Sequence, residues 1–494
     1  MIAGEHSIRR NTALAFAVNM TAAAFTAALT LFLVRALGPH DYGVYALALS
    51  IAALLTLPSD LGISSAAARF VAERRGDRAG VTEILVDALK LKLLIASAVA
   101  LGLFAAAGAV AAAYDEPGLL WPLRAMAAVL FSQSILQLVG GTFTAQGRIV
   151  ANLWIALSAS TVELLTAVSL VLLGGGAAGA AFGRTAGWAV ALVVGLTLLG
   201  RFLGRSAFAG RRTTPNALRR IAAYASGLAL VEVSFALFDQ VGAVLIGAFL
   251  GSAAVGMFQA PMRLLAFLHL PGLAVANAVA PRLARHARVA PNIGALLSAL
   301  RWVILLQTLF AAPLLVWSEP VVGLLLGAEY DDSIGLLRIL TPYMFLSGLA
   351  PLLSLTVNYL GRARRRIPIA VGALAINVTL AAILIPTIGV EGAALGSVAG
   401  FLLYVPGHFW LCRQALGFPV LPLAKTLVRA LLAGAAAAGV LWAFGTEELA
   451  LREWLGGAVL APAAFVAVLL ATRELTAADL KQLAARVQAR RRRG

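Results

Sequence analysis

The chain has 494 residues, of which 61% are hydrophobic and only 12% charged, a composition that excludes a soluble protein shielding its core with a polar shell. A single cysteine, Cys412, leaves no internal disulfide and no multi-cysteine metal site. The formal net charge of +17 does not argue for nucleic acid, because the basic residues stand in short clusters between apolar runs; that is the pattern of membrane orientation and of attraction to anionic lipid.

Taken in order, runs of about 20 apolar residues, each able to cross a hydrocarbon layer of about 30 Å, recur about fourteen times. Their centres fall near Ala24, Ile51, Ala98, Leu130, Leu164, Ala189, Ala236, Phe267, Leu309, Phe345, Ala375, Leu402, Ala433 and Phe465. The first run follows Arg9 and Arg10 and extends from Asn11 to Val34, too long for the apolar region of a cleaved secretion signal, which is about 7–15 residues. It reads as the first membrane span.

Arginine and lysine gather in alternate loops: Arg69, Arg74, Arg75 and Arg78 after the second span, then Arg148, then Arg201 to Arg220. Further clusters are Arg282 to Arg288, Arg362 to Arg366, Arg413 with Lys425, and Arg490 to Arg493. The intervening loops are short, glycine-rich or acidic, among them Asp115-Glu116, Glu329 to Asp332 and Glu447-Glu448. The positive-inside rule then places the basic loops and both termini on the cytoplasmic side of a cell membrane. From Glu474 the tail alternates Leu475, Leu480, Leu483 and Val487 with charged residues, the pattern of either an interfacial helix or a solvated basic tail.

A motif between the first two spans returns later. Leu37-Gly38, a four-residue gap, Gly43 and Tyr45 are matched by Leu250-Gly251, Gly256 and Phe258. Gly147-Arg148 meets Gly361-Arg362, Arg124 meets Arg338, Glu163 meets Asn377, and Gly179-Ala180-Ala181 meets Gly392-Ala393-Ala394. The shift stays at 213 or 214 residues throughout (251 − 38, 361 − 147), which marks an internal duplication. The expected architecture is all-α: two pseudo-symmetric six-helix lobes plus two C-terminal helices. The lobes are 1–203 and 221–415, joined by a basic linker at 204–220 and followed by 416–473 and a basic tail at 474–494.

Arg35-Ala36-Leu37-Gly38 with Tyr42-Gly43-Val44-Tyr45, then Asp60-Leu61-Gly62 and Ala68-Arg69-Phe70-Val71, resembles the opening of the polysaccharide biosynthesis (Wzx-type) flippases. These belong to the multidrug/oligosaccharidyl-lipid/polysaccharide exporter superfamily. In the second half Gly361-Arg362, Asn377, Leu384-Ile385-Pro386, Gly389 and Gly392-Ala393-Ala394 agree, so the resemblance runs to about Leu416. It implies a secondary transporter that moves undecaprenyl-diphosphate-linked oligosaccharide from the cytoplasmic to the outer leaflet by alternating access. It also implies drive by an H+ or Na+ gradient and service to polysaccharide biosynthesis alongside polymerase machinery. A drug or cation exporter and a peptidoglycan-precursor (lipid II) flippase of the same superfamily are the alternatives.

Ionisable side chains inside spans are costly and need an explanation. Glu232 and Asp239, seven residues apart on one face of the seventh span, match polar Asn19 and Thr26 of the first. These faces are expected to line a cavity, with Glu232 and Asp239 either binding the coupling ion or pairing structurally with arginine. Arg35, Arg124, Arg184, Arg263 and Arg338 lie toward the outer ends of spans, against the orientation rule. Their guanidinium forks suit a diphosphate, and the resemblance ranks Arg263 and Arg35 first because it places their spans around the cavity. Snorkelling or pairing with an acid is the structural alternative for Arg124 and Arg338. Glu163 and Asn377 serve either helix packing or ligand, while Asp60 and Asp87 are expected to pair locally with Arg69 or Lys90. Pro261 and Pro271 can bend the eighth span.

No catalytic constellation is present in the sequence. The five histidines are scattered without metal-ligand spacing, no glycine-rich phosphate loop with its lysine occurs, and neither a cofactor nor a metal is expected. A membrane glycosyltransferase or polymerase calls for a sizeable outward loop with paired acids, whereas the outward loops here are a few residues long.

Overall fold

The computed structural model describes residues 2–74, 77–203, 215–280 and 292–476, and for 2–20, 78 and 215–232 the backbone alone. Residues 204–214 of the expected basic linker and the tail beyond 476 lie outside the described residues.

Long apolar runs in a membrane must satisfy every backbone group internally, and an α-helix does so within a single segment. In the first half the helices are α1 (Ile2–Asp60), α2 (Ile63–Glu73), α3 (Arg78–Ala113), α4 (Leu120–Ala145), α5 (Ile149–Leu172) and α6 (Gly176–Leu203). There follow α7 (Pro215–Leu250), α8 (Ser252–Leu268), α9 (Leu270–Val279), α10 (Ile293–Val316), α11 (Ser318–Leu325), α12 (Ser333–Ile339) and α13 (Thr341–Tyr359). The chain continues through α14 (Ile367–Ile388), α15 (Val390–Leu416), α16 (Leu421–Ala443) and α17 (Leu451–Ala471).

Twelve stretches among the described residues are long and apolar enough to cross a membrane, and α12 with α13, bent by 47° at their junction, make a thirteenth. The first of the twelve, Thr21–Asp60, holds 40 residues, about 60 Å of helix at about 1.5 Å per residue, or twice a hydrocarbon layer. Gly38, at φ 67° and ψ 177°, breaks α1 into two arms there. Counting the arms separately gives fourteen spans, in line with the hydropathy reading.

Gly251, the duplicate of Gly38, also takes a positive φ, 83°, and separates α7 from α8. A residue with a Cβ is disfavoured in this region, so the recurrence of glycine at the head of the motif has a local cause. The second duplicated turn repeats the geometry closely, with φ of 72° at Gly147 and 73° at Gly361.

The described chain forms two compact units, Met1–Ala260 with Ala381–Ala393, and Pro261–Leu380 with Ala394–Gly494. In the first unit, Ile63, Val71, Ile84, Leu85, Ile135, Leu138, Val139 and Phe143 are buried in one cluster that ties α2, α3 and α4 together. α6 lies on α5 through small residues: a Cβ on Gly183 would collide with Ala167, and one on Gly187 would press on Glu163 and Ala159. Such close helix approach is how membrane helices gain packing without a hydrophobic driving force. Farther along this hairpin Gly179 packs on Leu170, and the duplicated Gly392 packs in the same way on Leu384.

In the second unit the buried Trp317 donates its indole N–H toward the carbonyls of Leu441 and Gly445 at 3.1 and 3.0 Å, and stacks edge-on against Trp454. Just past α17, Glu474 is 6% exposed and accepts hydrogen bonds from Arg301, Thr426 and Arg429 at 2.8, 2.8 and 2.9 Å. Leu475 is buried beside it. Burial pushes the Glu474 carboxyl up, but the donors on Arg429, Thr426 and Arg301 outweigh it and hold the group below the usual carboxylate range.

Candidate functional site

Within the first unit two of the expected site residues meet. The Arg184 guanidinium on α6 donates to Glu163 Oε1 on α5 at 2.7 Å, with Glu163 8% exposed. Gly187 makes room for the Glu163 side chain, and Arg184 lies 5.8 Å from the Trp188 ring centroid. The pair has a signature in the sequence: Glu163 and Arg184 stand equally far from the turn after α5, ten residues before Leu173 and ten after Gly174. A helical hairpin brings such positions level.

The remaining arginines have different surroundings. Arg124, at the start of α4, sits with its guanidinium carbon 5.1 Å from the centroids of both Phe104 and Trp121, and its buried Nε has no acceptor among the described residues. Both rings are exposed on the first unit, a cation–π sandwich at an apolar surface. Its duplicate Arg338 instead donates Nε to Ser318 Oγ at 2.6 Å in the second unit. Arg35 is exposed three residues before the Gly38 break, and Arg263 is half-buried two residues after Pro261.

Of the acidic and polar candidates, Asp239 is exposed and accepts a 3.3 Å hydrogen bond from Gln240. Thr26 is exposed on the first arm of α1, and Asn377 is buried in α14. The side chains of Asn19 and Glu232 lie outside the described residues.

The structure adds a site that the sequence reading missed. Asp60, the last residue of α1, pairs with Lys92 of α3 and not with the local partner that the sequence suggests, Arg69 or Lys90; Arg69 bonds Glu73 at 3.0 Å. Lys92 is fully buried and also donates to Ser134 Oγ of α4 at 2.9 Å, while Ser134 donates to the Ser59 carbonyl at 3.0 Å. Ser64 of α2 donates to Asp60 Oδ1 at 2.5 Å. Four helices thus meet at one buried ion pair. Lys92 differs from Lys90 only by heading the apolar run that follows, and that position was the available signal.

A second polar cluster lies in the second unit. Arg366 donates to Asn358 Oδ1 at 2.7 Å, Tyr404 Oη at 3.2 Å and His408 Nε2 at 3.1 Å. The buried His408 has its Nδ1 2.8 Å from the Tyr404 carbonyl. A guanidinium can only donate, so His408 accepts at Nε2, donates at Nδ1, and is a neutral imidazole. Tyr343, Phe401 and Tyr404 continue from it as an aromatic column. Among the described residues no group of three His, Cys, Asp or Glu side chains is placed to hold a metal.

A sequence profile described as "Polysaccharide biosynthesis protein" matches residues 8–286. The chain is 22% identical over 403 residues, 76% of its own length and 77% of the relative's, to the probable low-salt glycan biosynthesis flippase Agl15 of Haloferax volcanii. Its fold matches the lipid II flippase MurJ in an inward closed conformation, with TM-score 0.74 at 12% identity over 93% of this chain and 99% of that one. It also matches an inward-facing multidrug resistance MATE family transporter of the MOP superfamily, with TM-score 0.65 at 17% identity over 82% and 98%. This chain is a multi-pass membrane protein with the fold of transporters rather than of an enzyme, and it belongs to the polysaccharide biosynthesis protein family.

Proposed function

We propose that the protein is a flippase for polyprenyl-diphosphate-linked oligosaccharide, carrying it from the cytoplasmic to the outer leaflet by alternating access. The observation that carries this reading is the family match, extended by the 403-residue likeness to a glycan biosynthesis flippase. The arginines supply the chemistry: a guanidinium fork bonds phosphate bidentately, and Arg124, like Arg184, has an Nε without an acceptor among the described residues. Arg35 and Arg263 are the next candidates for the head group, with Arg338 and Arg184 after them. Glu232 and Asp239 are proposed to serve ion coupling, and Asn19, Thr26, Glu163 and Asn377 to supply polar lining. Both termini face the cytoplasm in this reading, where the basic loops meet anionic lipid.

The test is reconstitution. Purified protein in vesicles is expected to move a labelled diphosphate-linked glycan lipid between leaflets, faster under an imposed H+ or Na+ gradient. No movement of any such lipid overturns the reading. A second reading, transport of a peptidoglycan precursor, is favoured by the TM-score of 0.74 to a lipid II flippase; rescue of cells depleted of their own such flippase would select it.

A further inference from the structure

We infer that the end of α15 at Arg413 holds the phosphate of an anionic phospholipid, whose acyl chain lies along the helix toward Leu403. Its leaflet, the cytoplasmic one, rests on the reading above that the basic loops meet anionic lipid. Unbalanced charge is the first sign. Between Asp332 and Glu391, and again between Glu391 and Glu447, the sequence holds no acidic residue. Within that stretch Arg362, Arg364, Arg365 and Arg366 follow the end of α13, and Arg413 lies in the last turn of α15. None of the five pairs with a carboxylate among the described residues. Arg366 bonds the neutral groups described above, and Arg362 Nη1 is buried without an acceptor among the described residues. Arg365 Nη1 donates to Gln414 Oε1 at 3.1 Å, which brings the two groups of arginines together.

A cleft of about 440 Å³ opens at this point, lined by Trp410, Arg413, Gln414, Gly417, Phe418 and Pro419. Its polar side chains are all donors. A guanidinium cannot accept, so Gln414 turns its carbonyl oxygen to Arg365 and keeps its amide N–H groups for another partner. The Arg413 guanidinium has no partner among the described residues, and the indole of Trp410 can only donate. Donors and cations without a carboxylate suit a phosphate group. Membrane orientation calls for positive charge on this side, but not for a cleft made of donors.

The surroundings point to a lipid as the source of that phosphate. Leu403, Pro406, Trp410 and Arg413 recur at steps of three and four residues, so they share one helix face, and all four are exposed. Leu403 and Arg413 are ten residues apart, about 15 Å of helix, or half of a hydrocarbon layer of about 30 Å. That is the depth of one leaflet. Arg413 follows the Gly389 turn by 24 residues, about 36 Å of helix, which carries its guanidinium to the level of the head groups. Trp410 then stands at the interface, where indole rings are favoured. A soluble phosphate has no use for the exposed apolar stripe; an acyl chain covers it.

The first half of the molecule builds the same corner without the surplus charge. The 214-residue shift puts Asn152 at the position of Arg366 and Thr144 at that of Asn358. Asn152 donates to Thr144 Oγ1 at 2.9 Å, as Arg366 donates to Asn358 Oδ1 at 2.7 Å. Neutral groups therefore suffice for this contact. The 213-residue shift that holds from Gly179 onward puts Gly200 at the position of Arg413. Arg148, the match of Arg362, lines a cleft that also contains the carboxylate of Asp77. The second half alone combines the cations with an absence of acids.

The experiment measures lipid binding by the full-length protein. Delipidated protein in detergent is titrated with palmitoyl-oleoyl phosphatidylglycerol, or with the phosphatidylcholine of the same chains, and bound lipid is counted by native mass spectrometry. One phosphatidylglycerol is expected to bind in preference to phosphatidylcholine. R413Q is expected to weaken it about fivefold and R365Q/R413Q about thirtyfold, the effect of one and of two basic residues at an anionic surface. R148Q/R201Q removes the same charge from the corresponding end of the first half and is expected to leave binding unchanged. No preference in the wild type overturns the inference, and so does an equal loss in R148Q/R201Q.

A photoactivatable phosphatidylglycerol with its label in the acyl chain, in nanodiscs of the two lipids, is expected to mark 402–418 of the wild type. Labelling confined to other segments overturns the inference, and this measurement decides alone should a variant fail to fold. Displacement of the label by inorganic phosphate, or by undecaprenyl diphosphate at a lower concentration than phosphatidylglycerol, also overturns it, because the occupant is then not a phospholipid. A wild type that binds phosphatidylglycerol here yet moves no glycan lipid removes the flippase reading and leaves the site. One that flips glycan lipid without this preference does the reverse.

Discussion

Gly43 and Gly256, the second glycines of the two copies of the turn motif, pack on one another's backbones. A Cβ on Gly43 would collide with the Ser252 carbonyl and press on the amide of Gly256; a Cβ on Gly256 would collide with the Pro39 carbonyl and press on the amide of Gly43. Each glycine thus meets the other and the residue one turn before it. This exchange of equivalent contacts is what a local two-fold relation produces, and it gives a reason for the second glycine of the motif apart from the positive φ that explains the first. The duplication is therefore a three-dimensional relation inside the first unit as well as a pattern in the chain.

Substitution at this contact is expected to be damaging out of proportion to its size. G43A or G256A forces backbone apart, so a loss of roughly 1–3 kcal/mol or more is expected, as for overpacking of a tight core. Gly200 has open space where its Cβ would stand, and G200A is expected to raise helix stability by about 0.5–1 kcal/mol. Thermal unfolding in detergent, followed by the monodisperse fraction remaining, compares the three. Equal behaviour of G43A and G200A would refute the contact.

The Glu163–Arg184 pair is expected to behave as a structural unit. Removing one partner leaves a buried charge uncompensated, so E163Q or R184Q should lower stability by roughly 3–5 kcal/mol, while the double variant E163Q/R184Q should recover much of the loss. Should R184Q instead leave stability unchanged and abolish only flipping, Arg184 serves the substrate.

The spans, their number and the repeat could be read from the chain because hydropathy and glycine spacing are local quantities that a bilayer and a tight turn impose directly. The Glu163–Arg184 contact was legible in principle, since equal distances from one turn place them level. Asp60–Lys92 was not. Its partners come from four helices, and the break at Leu61 that brings Asp60 over α3 depends on a non-glycine residue at positive φ, which no propensity would assign. Arg124 and Arg338, matched by position, have unlike partners, the Phe104–Trp121 rings and Ser318. Duplication preserves placement longer than it preserves chemistry.

That divergence makes Arg124 and Arg338 separable by experiment. Of these two, Arg124 is the one whose Nε lacks an acceptor among the described residues, so R124A is expected to slow flipping of a diphosphate-linked lipid by tenfold or more, about the effect of losing one hydrogen bond to a charged group. R124K keeps the charge but not the fork and should recover only part of the rate. R338A is expected to lower thermal stability, through the lost bond to Ser318, more than it lowers the flipping rate. The reverse order in a vesicle flipping assay would reassign the head-group role to Arg338.

Glu474 gives a pH dependence with a definite sign. It stands beyond α17, and its donors Arg301, Thr426 and Arg429 belong to α10 and α16, so one carboxylate ties three spans together. Its folded value lies below the ordinary one, whereas an unfolded glutamate titrates near about 4.3. Between the two values the unfolded chain holds more protons than the folded one, so stability falls as acid is added. The contribution is full above the unfolded value and is lost as pH falls through the lower folded value. E474Q should therefore unfold more readily than the wild type at neutral pH, and the gap should close as the medium is acidified through that window. R429Q removes one donor and should narrow the same window from below by raising the folded value. Thermal unfolding of the three proteins across the acid range tests this; a gap between wild type and E474Q that stays constant with pH would show that the clamp acts through packing rather than through charge.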